Sequence, residues 1–193
     1  QIFQTHHISA VLHFAGLKAV GESVQQPLRY YQNNIGGMMT LLEELQKTDC
    51  RTLIFSSSAT VYGTQHTAPY AETVTPLSAS NPYGETKIIS EQLLQDLCQA
   101  DSDWHITALR YFNPIGAHES GLLGEEPHGI PSNIAPYLAL VASGQLPYFR
   151  VYGNDYDTPD GTGVRDYVHV MDLAEGHVSA LQYSIQHAGF SVF

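Results

Sequence analysis

Thr52-Leu53-Ile54-Phe55-Ser56-Ser57-Ser58 is a short, mostly apolar run that breaks abruptly into three hydroxyls. A run of β-branched and aromatic residues with no polar alternation reads as a strand buried on both faces, as in a parallel sheet. Helical periods flank it. Residues 28–47 place Tyr31, Ile35, Met38, Met39, Leu42 and Leu45 at helical spacing and tolerate Gly36-Gly37, while residues 82–99 put Ile88, Ile89, Leu93, Leu94 and Leu97 on one side. Beyond the helices come two further strand patterns, Ala10-Val11-Leu12-His13-Phe14 closed by Ala15-Gly16, and residues 106–112. Strand, long helix, strand, long helix, strand is the pattern of an α/β parallel sheet with covering helices.

After Asn113 the pattern loosens into a Gly/Pro/His-rich stretch through Pro131. A helix near residues 133–143, a strand near residues 149–152, a turn-rich loop and a final helix from about Asp172 follow. The chain starts at Gln1 rather than at Met and stops at Ser191-Val192-Phe193, which resembles the opening of a strand. It reads as an excerpt, without internal repeats.

Composition narrows the class. With 193 residues, 43% hydrophobic and 14% charged, there is core enough for one globular domain or the larger part of two. A net charge of -11 with 8 Lys+Arg argues against nucleic acid or an anionic membrane as partner, because both demand a basic face. No apolar stretch reaches the ~18 residues of a membrane span and no signal segment stands before the domain, so a cytoplasmic protein is expected. Cys50 and Cys98 are too few for a disulfide framework or a zinc site. His6, His7, His118, His128, His169 and His177 have no metal-ligand spacing, and the acidic run from Gly153 to Asp157 lacks the glycine and terminal glutamate of a calcium loop. No metal is expected.

The chemistry concentrates in Asn81-Pro82-Tyr83-Gly84-Glu85-Thr86-Lys87. Asn81 suits a helix N-cap and Pro82 the first helical position, so Tyr83 and Lys87 fall one turn apart on one face. A phenol titrates near pH ~10, and a lysine cation within ~4–6 Å stabilises the phenolate and draws that value down. A serine on a facing strand end would share the proton path to a substrate hydroxyl. This suits alcohol-to-ketone redox chemistry. In open parallel sheets ligands bind beyond the carboxyl ends of the strands. Phe14-Ala15-Gly16-Leu17-Lys18, Ser56-Ser57-Ser58 and Tyr111-Phe112-Asn113 each follow a strand, so one sheet edge collects them with the Tyr83 helix.

At these residues the chain resembles a known family. His13-Phe14-Ala15-Gly16-Leu17-Lys18-Ala19-Val20-Gly21-Glu22-Ser23, Phe55-Ser56-Ser57-Ser58-Ala59-Thr60-Val61-Tyr62-Gly63, Tyr83-Gly84-Glu85-Thr86-Lys87, Arg110-Tyr111-Phe112-Asn113-Pro114 and Gly161-Thr162-Gly163-Val164-Arg165-Asp166-Tyr167 are similar to the UDP-glucose 4-epimerases of the extended short-chain dehydrogenase/reductase family. The resemblance implies a partial Rossmann-type sheet plus part of a small substrate-binding α/β region. Residues 1–113 would be the C-terminal part of the NAD-binding domain. Residues 114–193 would contribute to the nucleotide-sugar site and return a helix and strand to the sheet.

By the same resemblance, Tyr83 would be the base and acid at the sugar 4-hydroxyl, Ser58 would hydrogen-bond that oxygen, and Lys87 would hold the nicotinamide ribose and lower the phenol pKa with help from the cationic ring. NAD would be the cofactor, lined by Phe14, Ala15, Gly16, Leu17, Lys18, Asn33, Tyr111 and Phe112 with the catalytic three. UDP-glucose and UDP-galactose would be held by Asn113, Asn133, Ile134, Arg150, Val151, Tyr152 and Arg165, besides Ser58 and Tyr83. A diphosphate suits a helix N-terminus and an arginine fork, and a uracil ring suits an aromatic wall. The full protein would be a homodimer.

Family members also open with a Gly-rich turn for the NAD pyrophosphate and close with a small C-terminal domain, neither of which is complete in these 193 residues. The resemblance therefore implies a central fragment that binds NAD weakly by itself and leaves a sheet edge exposed. Two alternatives stand beside it. A 4,6-dehydratase needs an acidic pair near the serine position, where Ser58-Ala59-Thr60 offers none, and a truncated chain would be non-catalytic.

Overall fold

The Thr52–Ser56 run is strand β2, and it has a parallel neighbour on each side. The computed structural model describes residues 2–125, 129, 131 and 133–193, so His128 and Gln1 lie outside the described residues. In chain order the elements are α1 (Ile2–Thr5), β1 (Val11–His13), α2 (Val20–Gln25), α3 (Pro27–Tyr30), a π-helical segment (Tyr31–Gly36), α4 (Gly37–Leu45), β2, a 3-10 turn (Ala59–Tyr62), α5 (Pro82–Ala100), β3 (His105–Leu109), β4 (Asn113–Ile115), α6 (Ile134–Ala142), β5 (Tyr167–His169), α7 (Val170–Gln186) and β6 (Gly189–Val192).

Two compact units divide the chain. The first runs to Tyr111 and resumes at Glu175, and its four parallel strands take the order β1-β2-β3-β6. Leu53 stands between Val11 and Ile106, Phe55 between His13 and Ala108. Leu53, Ile54, Phe55, Ile106 and Ala108 are all buried, as a sheet covered on both faces requires. The core adds Met38, Leu42 and Leu45 from one stripe of α4, Leu94 from α5, and Trp104 just before β3. β1 is an edge strand, with Leu12 at its centre 36% exposed.

The second unit, Phe112–Ala174, has its own two-stranded parallel pair, in which Asn113 opposes Tyr167 and Ile115 opposes His169. Gly116 follows at φ +94°, where a Cβ would come within 2.4 Å of the His169 ring; only glycine permits this approach.

Several boundaries differ from the sequence expectation. The helix expected over residues 28–47 is three pieces in succession, because the backbone widens into a π turn ahead of Gly37. The third sheet strand ends at Leu109, and the residues after Phe112 pair with β5 instead. Residues 149–152 do not form the expected strand. All four are exposed, and the nearby strands β4 and β5 are paired with each other, so no ladder holds them extended. Among the described residues no helix is long and apolar enough to cross a membrane.

Candidate functional site

The helix start that carries Tyr83 forms as its sequence dictates. Asn81 is extended (φ -158°, ψ 158°), its side chain accepts from the Gly84 N–H at 3.0 Å, and Pro82 occupies the first turn. From this cap α5 directs Tyr83, Lys87 and, one turn further, Glu91 against the serines after β2.

Ser58 begins the 3-10 turn, accepting from the Thr60 N–H at 3.3 Å, and its hydroxyl faces the Tyr83 phenol, whose pKa it lowers against the larger effect of burial. Lys87 is 7% exposed; its ammonium donates to the Ser56 carbonyl at 2.6 Å and lies 4.8 Å from the Phe55 ring centre and 5.6 Å from that of Tyr83. The Tyr111 hydroxyl meets the Ser56 hydroxyl, and the Tyr111 carbonyl accepts from the Ala59 N–H at 3.0 Å. Phe14 and Tyr111 both contact the His177 ring, with centroids 4.7 and 5.7 Å away. Residues following β1, β2 and β3 thus meet α5 at the carboxyl edge of the sheet, where the topology favours a ligand.

The loop after β1 is held from below by Asn34. Its side chain accepts from the Leu17 N–H at 2.8 Å, donates to the Leu17 carbonyl at 3.0 Å and donates to Thr86 at 3.1 Å. Asn34 lies in the π turn, which also carries the exposed Asn33, and a Cβ on Gly16 would come within 3.3 Å of the Asn34 carboxamide oxygen. Ala15, Lys18 and Phe14 are exposed above this anchor.

Electrostatics correct one sequence expectation. Burial raises the Tyr83 pKa above its ordinary value; the Ser58 hydrogen bond opposes this and the nearby Tyr111 adds to it. Burial pushes the Lys87 ammonium down to about 8, with Glu91 opposing the fall. Within the fold the Tyr83 phenol is therefore shifted away from neutrality, with burial as the largest cause.

A buried ion pair behind these residues was not anticipated. The Arg110 guanidinium donates to Glu91 through Nε at 3.0 and 3.2 Å and through Nη2 at 2.6 Å, and the Ser57 hydroxyl donates to the same carboxylate. Arg110 also reaches the Glu72 carbonyl at 3.2 Å and faces the Tyr62 ring at 5.2 Å. No local spacing signals it, because Glu91 meets Arg110 and Ser57 from 19 and 34 residues away in sequence.

The second unit has a cavity of about 570 Å³ whose lining includes Asn133, Ile134, Arg150, Val151 and Tyr152, with Tyr137 and Phe149 beside them. Asn133 is the extended residue before α6 and makes no side-chain cap, so first-turn N–H groups remain for a ligand. The Arg150 guanidinium stands 5.7 and 5.9 Å from the Tyr148 and Tyr152 ring centres. Asn113 and Arg165 do not line this cavity. Asn113 donates to the Asp166 carbonyl at 2.9 Å, and the exposed Arg165 donates to the Val164 carbonyl at 2.7 Å. Phe112 is 39% exposed. Among the described residues no group of three or more His, Cys, Asp or Glu could hold a metal ion, and both cysteines are free.

The chain is similar to several known proteins. The UDP-glucose 4-epimerase of Neisseria gonorrhoeae is 54% identical over 193 residues, all of this chain and 57% of the relative. That of Dictyostelium discoideum is 59% identical over 181 residues, 94% of this chain and 52% of the relative. The chain spans little more than half the length of these curated relatives. Among solved structures, the Bifidobacterium longum UDP-glucose 4-epimerase in complex with NAD+ and UDP superposes with a TM-score of 0.94 at 55% identity, covering 99% of this chain and 57% of that one. The Stenotrophomonas maltophila enzyme with bound NAD and formylated UDP-arabinopyranose gives 0.93 at 54% identity, over 98% and 56%. The family profile runs over residues 1–189, through every serine, tyrosine and lysine described above. The chain belongs to the NAD dependent epimerase/dehydratase family.

Proposed function

We propose that the full protein carrying this chain interconverts UDP-glucose and UDP-galactose by inverting sugar C4 through a 4-keto intermediate, with NAD as cofactor. The observation that carries this reading is the Ser58–Tyr83–Lys87 arrangement at the carboxyl edge of the parallel sheet. The relatives named above bear that activity in their names, and two were solved with NAD and UDP compounds.

The residues present fit the nicotinamide-ribose half of the cofactor. The buried Lys87 ammonium has one carbonyl partner within reach, Ser56, and three donors, so it retains donors for ribose hydroxyls. Phe14 supplies an exposed apolar ring against His177, and Asn33, the Asn34-anchored loop of Ala15, Gly16, Leu17 and Lys18, Tyr111 and Phe112 would add to the cofactor contacts. When bound, NAD supplies the hydride acceptor and a positive ring.

Each remaining step belongs to the chain. Ser58 holds the substrate 4-oxygen against Tyr83, and Tyr83 takes the hydroxyl proton and later returns it. With its pKa raised by burial, the phenol needs positive charge beside it to act as a base near neutral pH. Lys87 supplies one charge and the nicotinamide the other. Asn133, Ile134, Arg150, Val151 and Tyr152 would hold the nucleotide, with first-turn N–H groups of α6 for the diphosphate and Tyr152 against uracil. Asn113 and Arg165 would complete the substrate contacts. Residues 1–113 would serve the cofactor and residues 114–193 chiefly the nucleotide sugar.

The full protein would be a homodimer, and since Met38, Leu42, Leu45 and Leu94 are spent on the core, exposed residues such as Leu28 and Met39 of the same helical region would be available to the interface. The net charge of -11 argues against nucleic-acid partners, and the enzyme would be cytoplasmic.

Replacing Tyr83 by Phe in the full protein tests the reading. Conversion of UDP-galactose should fall by at least about a thousandfold, with NAD still bound by its absorbance or fluorescence. Turnover within tenfold of wild type would refute the role given to Tyr83.

A further inference from the structure

Tyr83, Lys87 and Glu91 are spaced by four residues and so line one face of α5, opposite three consecutive serines. Lys87 holds the Ser56 carbonyl and Glu91 the Ser57 hydroxyl, while Tyr83 faces the Ser58 hydroxyl. The strand end thus meets the helix at three successive positions, two of them fastened by hydrogen bonds. One of these two is the Ser57–Glu91 pair.

We propose that Glu91 and Ser57 are positioning residues: the Glu91 carboxylate, pinned by Arg110, holds Ser57 and through it keeps the Ser58 hydroxyl in register with Tyr83. This rests on the function proposed above. Ser57 is 1% exposed, Glu91 4% and Arg110 9%, so no solvent competes for the contact. Ser57 has already left the β ladder, its N–H bonding back to the Phe55 carbonyl at 3.0 Å. Its side-chain bond to Glu91 therefore fixes the path of the chain into Ser58. Arg110 meets Glu91 through two nitrogens, which sets the plane of the carboxylate, and it directly precedes Tyr111, the residue that meets Ser56.

The same carboxylate has a second effect. The titratable and charged groups around Lys87 are Tyr83 and Glu91 from its own helix, His13 from β1, and Arg110 and Tyr111 following β3. Glu91 is the anion of this set and favours the Lys87 cation. An ion pair serving stability alone would change the melting temperature and leave the kinetics of the folded enzyme alone.

The test uses the full protein with bound NAD. Ser57→Ala keeps the Glu91–Arg110 pair and removes the hydroxyl that steers Ser58. Its kcat for UDP-galactose should drop about tenfold to a hundredfold, with KM within twofold and unchanged NAD content. Glu91→Gln keeps an acceptor for Ser57 but removes the charge, and the alkaline limb of its kcat profile should move on the order of one pH unit lower. Should Glu91→Gln fail to fold, Ser57→Ala decides alone. Wild-type kcat in Ser57→Ala, or a loss confined to thermal stability, overturns the inference. An inactive wild type, or an active Tyr83→Phe, overturns the underlying reading and this inference with it.

Discussion

Lys87 is the residue at which folding and function pull in opposite directions. Its ordinary pKa of 10.5 falls to about 8 in the fold because burial disfavours the cation. Between pH 8 and 10.5 the unfolded chain therefore binds more protons than the folded one. The linkage relation then makes this residue's contribution to stability rise with pH across that window, and the full cost applies below pH 8. Lys87→Met should stabilise the protein at pH 7 by about 1–3 kcal/mol, less whatever the Ser56 carbonyl loses as an acceptor. That advantage should shrink toward pH 10 in paired urea titrations, and the variant should be inactive. A Met variant less stable than wild type at pH 7 would contradict a costly buried cation. The pairing of Tyr83 with Lys87 was legible from their spacing, but the direction of the phenol shift was not. Sequence spacing gives proximity, whereas desolvation depends on what covers the helix.

Among the elements, α5 sets the geometry of the site because it presents Tyr83, Lys87 and Glu91 along one face. Its start was readable as Asn81-Pro82, and the cap geometry follows it. Asn81→Ala should cost about 1 kcal/mol in a denaturant titration. Because Tyr83 stands two residues beyond the cap, kcat should fall more than KM rises; an unchanged midpoint would show that the Asn81–Gly84 bond contributes nothing. The buried strands were equally legible, since an apolar run without alternation has few other solutions. The π turn was not, because residues 28–47 keep helical apolar spacing through it and its local signal is only Gly36-Gly37. Strands β4 and β5, three residues each, are too short to show a period, and the apolar residues near 149–152 mimicked a strand while lining a cavity. The Glu91–Arg110–Ser57 contact joins three separate elements, so no local pattern carries it.

At the scale of the whole molecule, the chain divides into two units, with the proposed chemical groups in the first and the cavity lined by Asn133 and Arg150 in the second. Ser58, Tyr83 and Lys87 belong to the first unit and Asn133, Arg150 and Tyr152 to the second. The family was legible from ordered motifs, while the placement of Asn113 and Arg165 outside the pocket lining was not. The central claim is that the hydrogen leaving C4 returns to the same carbon from the opposite side while Tyr83 handles only the hydroxyl proton. The direct measurement incubates the full protein in ordinary water with UDP-galactose deuterated at C4 and follows the product by NMR. The proposed reaction yields UDP-glucose that retains the deuterium at C4, with no conversion by Tyr83→Phe. Deuterium lost to solvent, or no inversion by the wild-type protein, would contradict it.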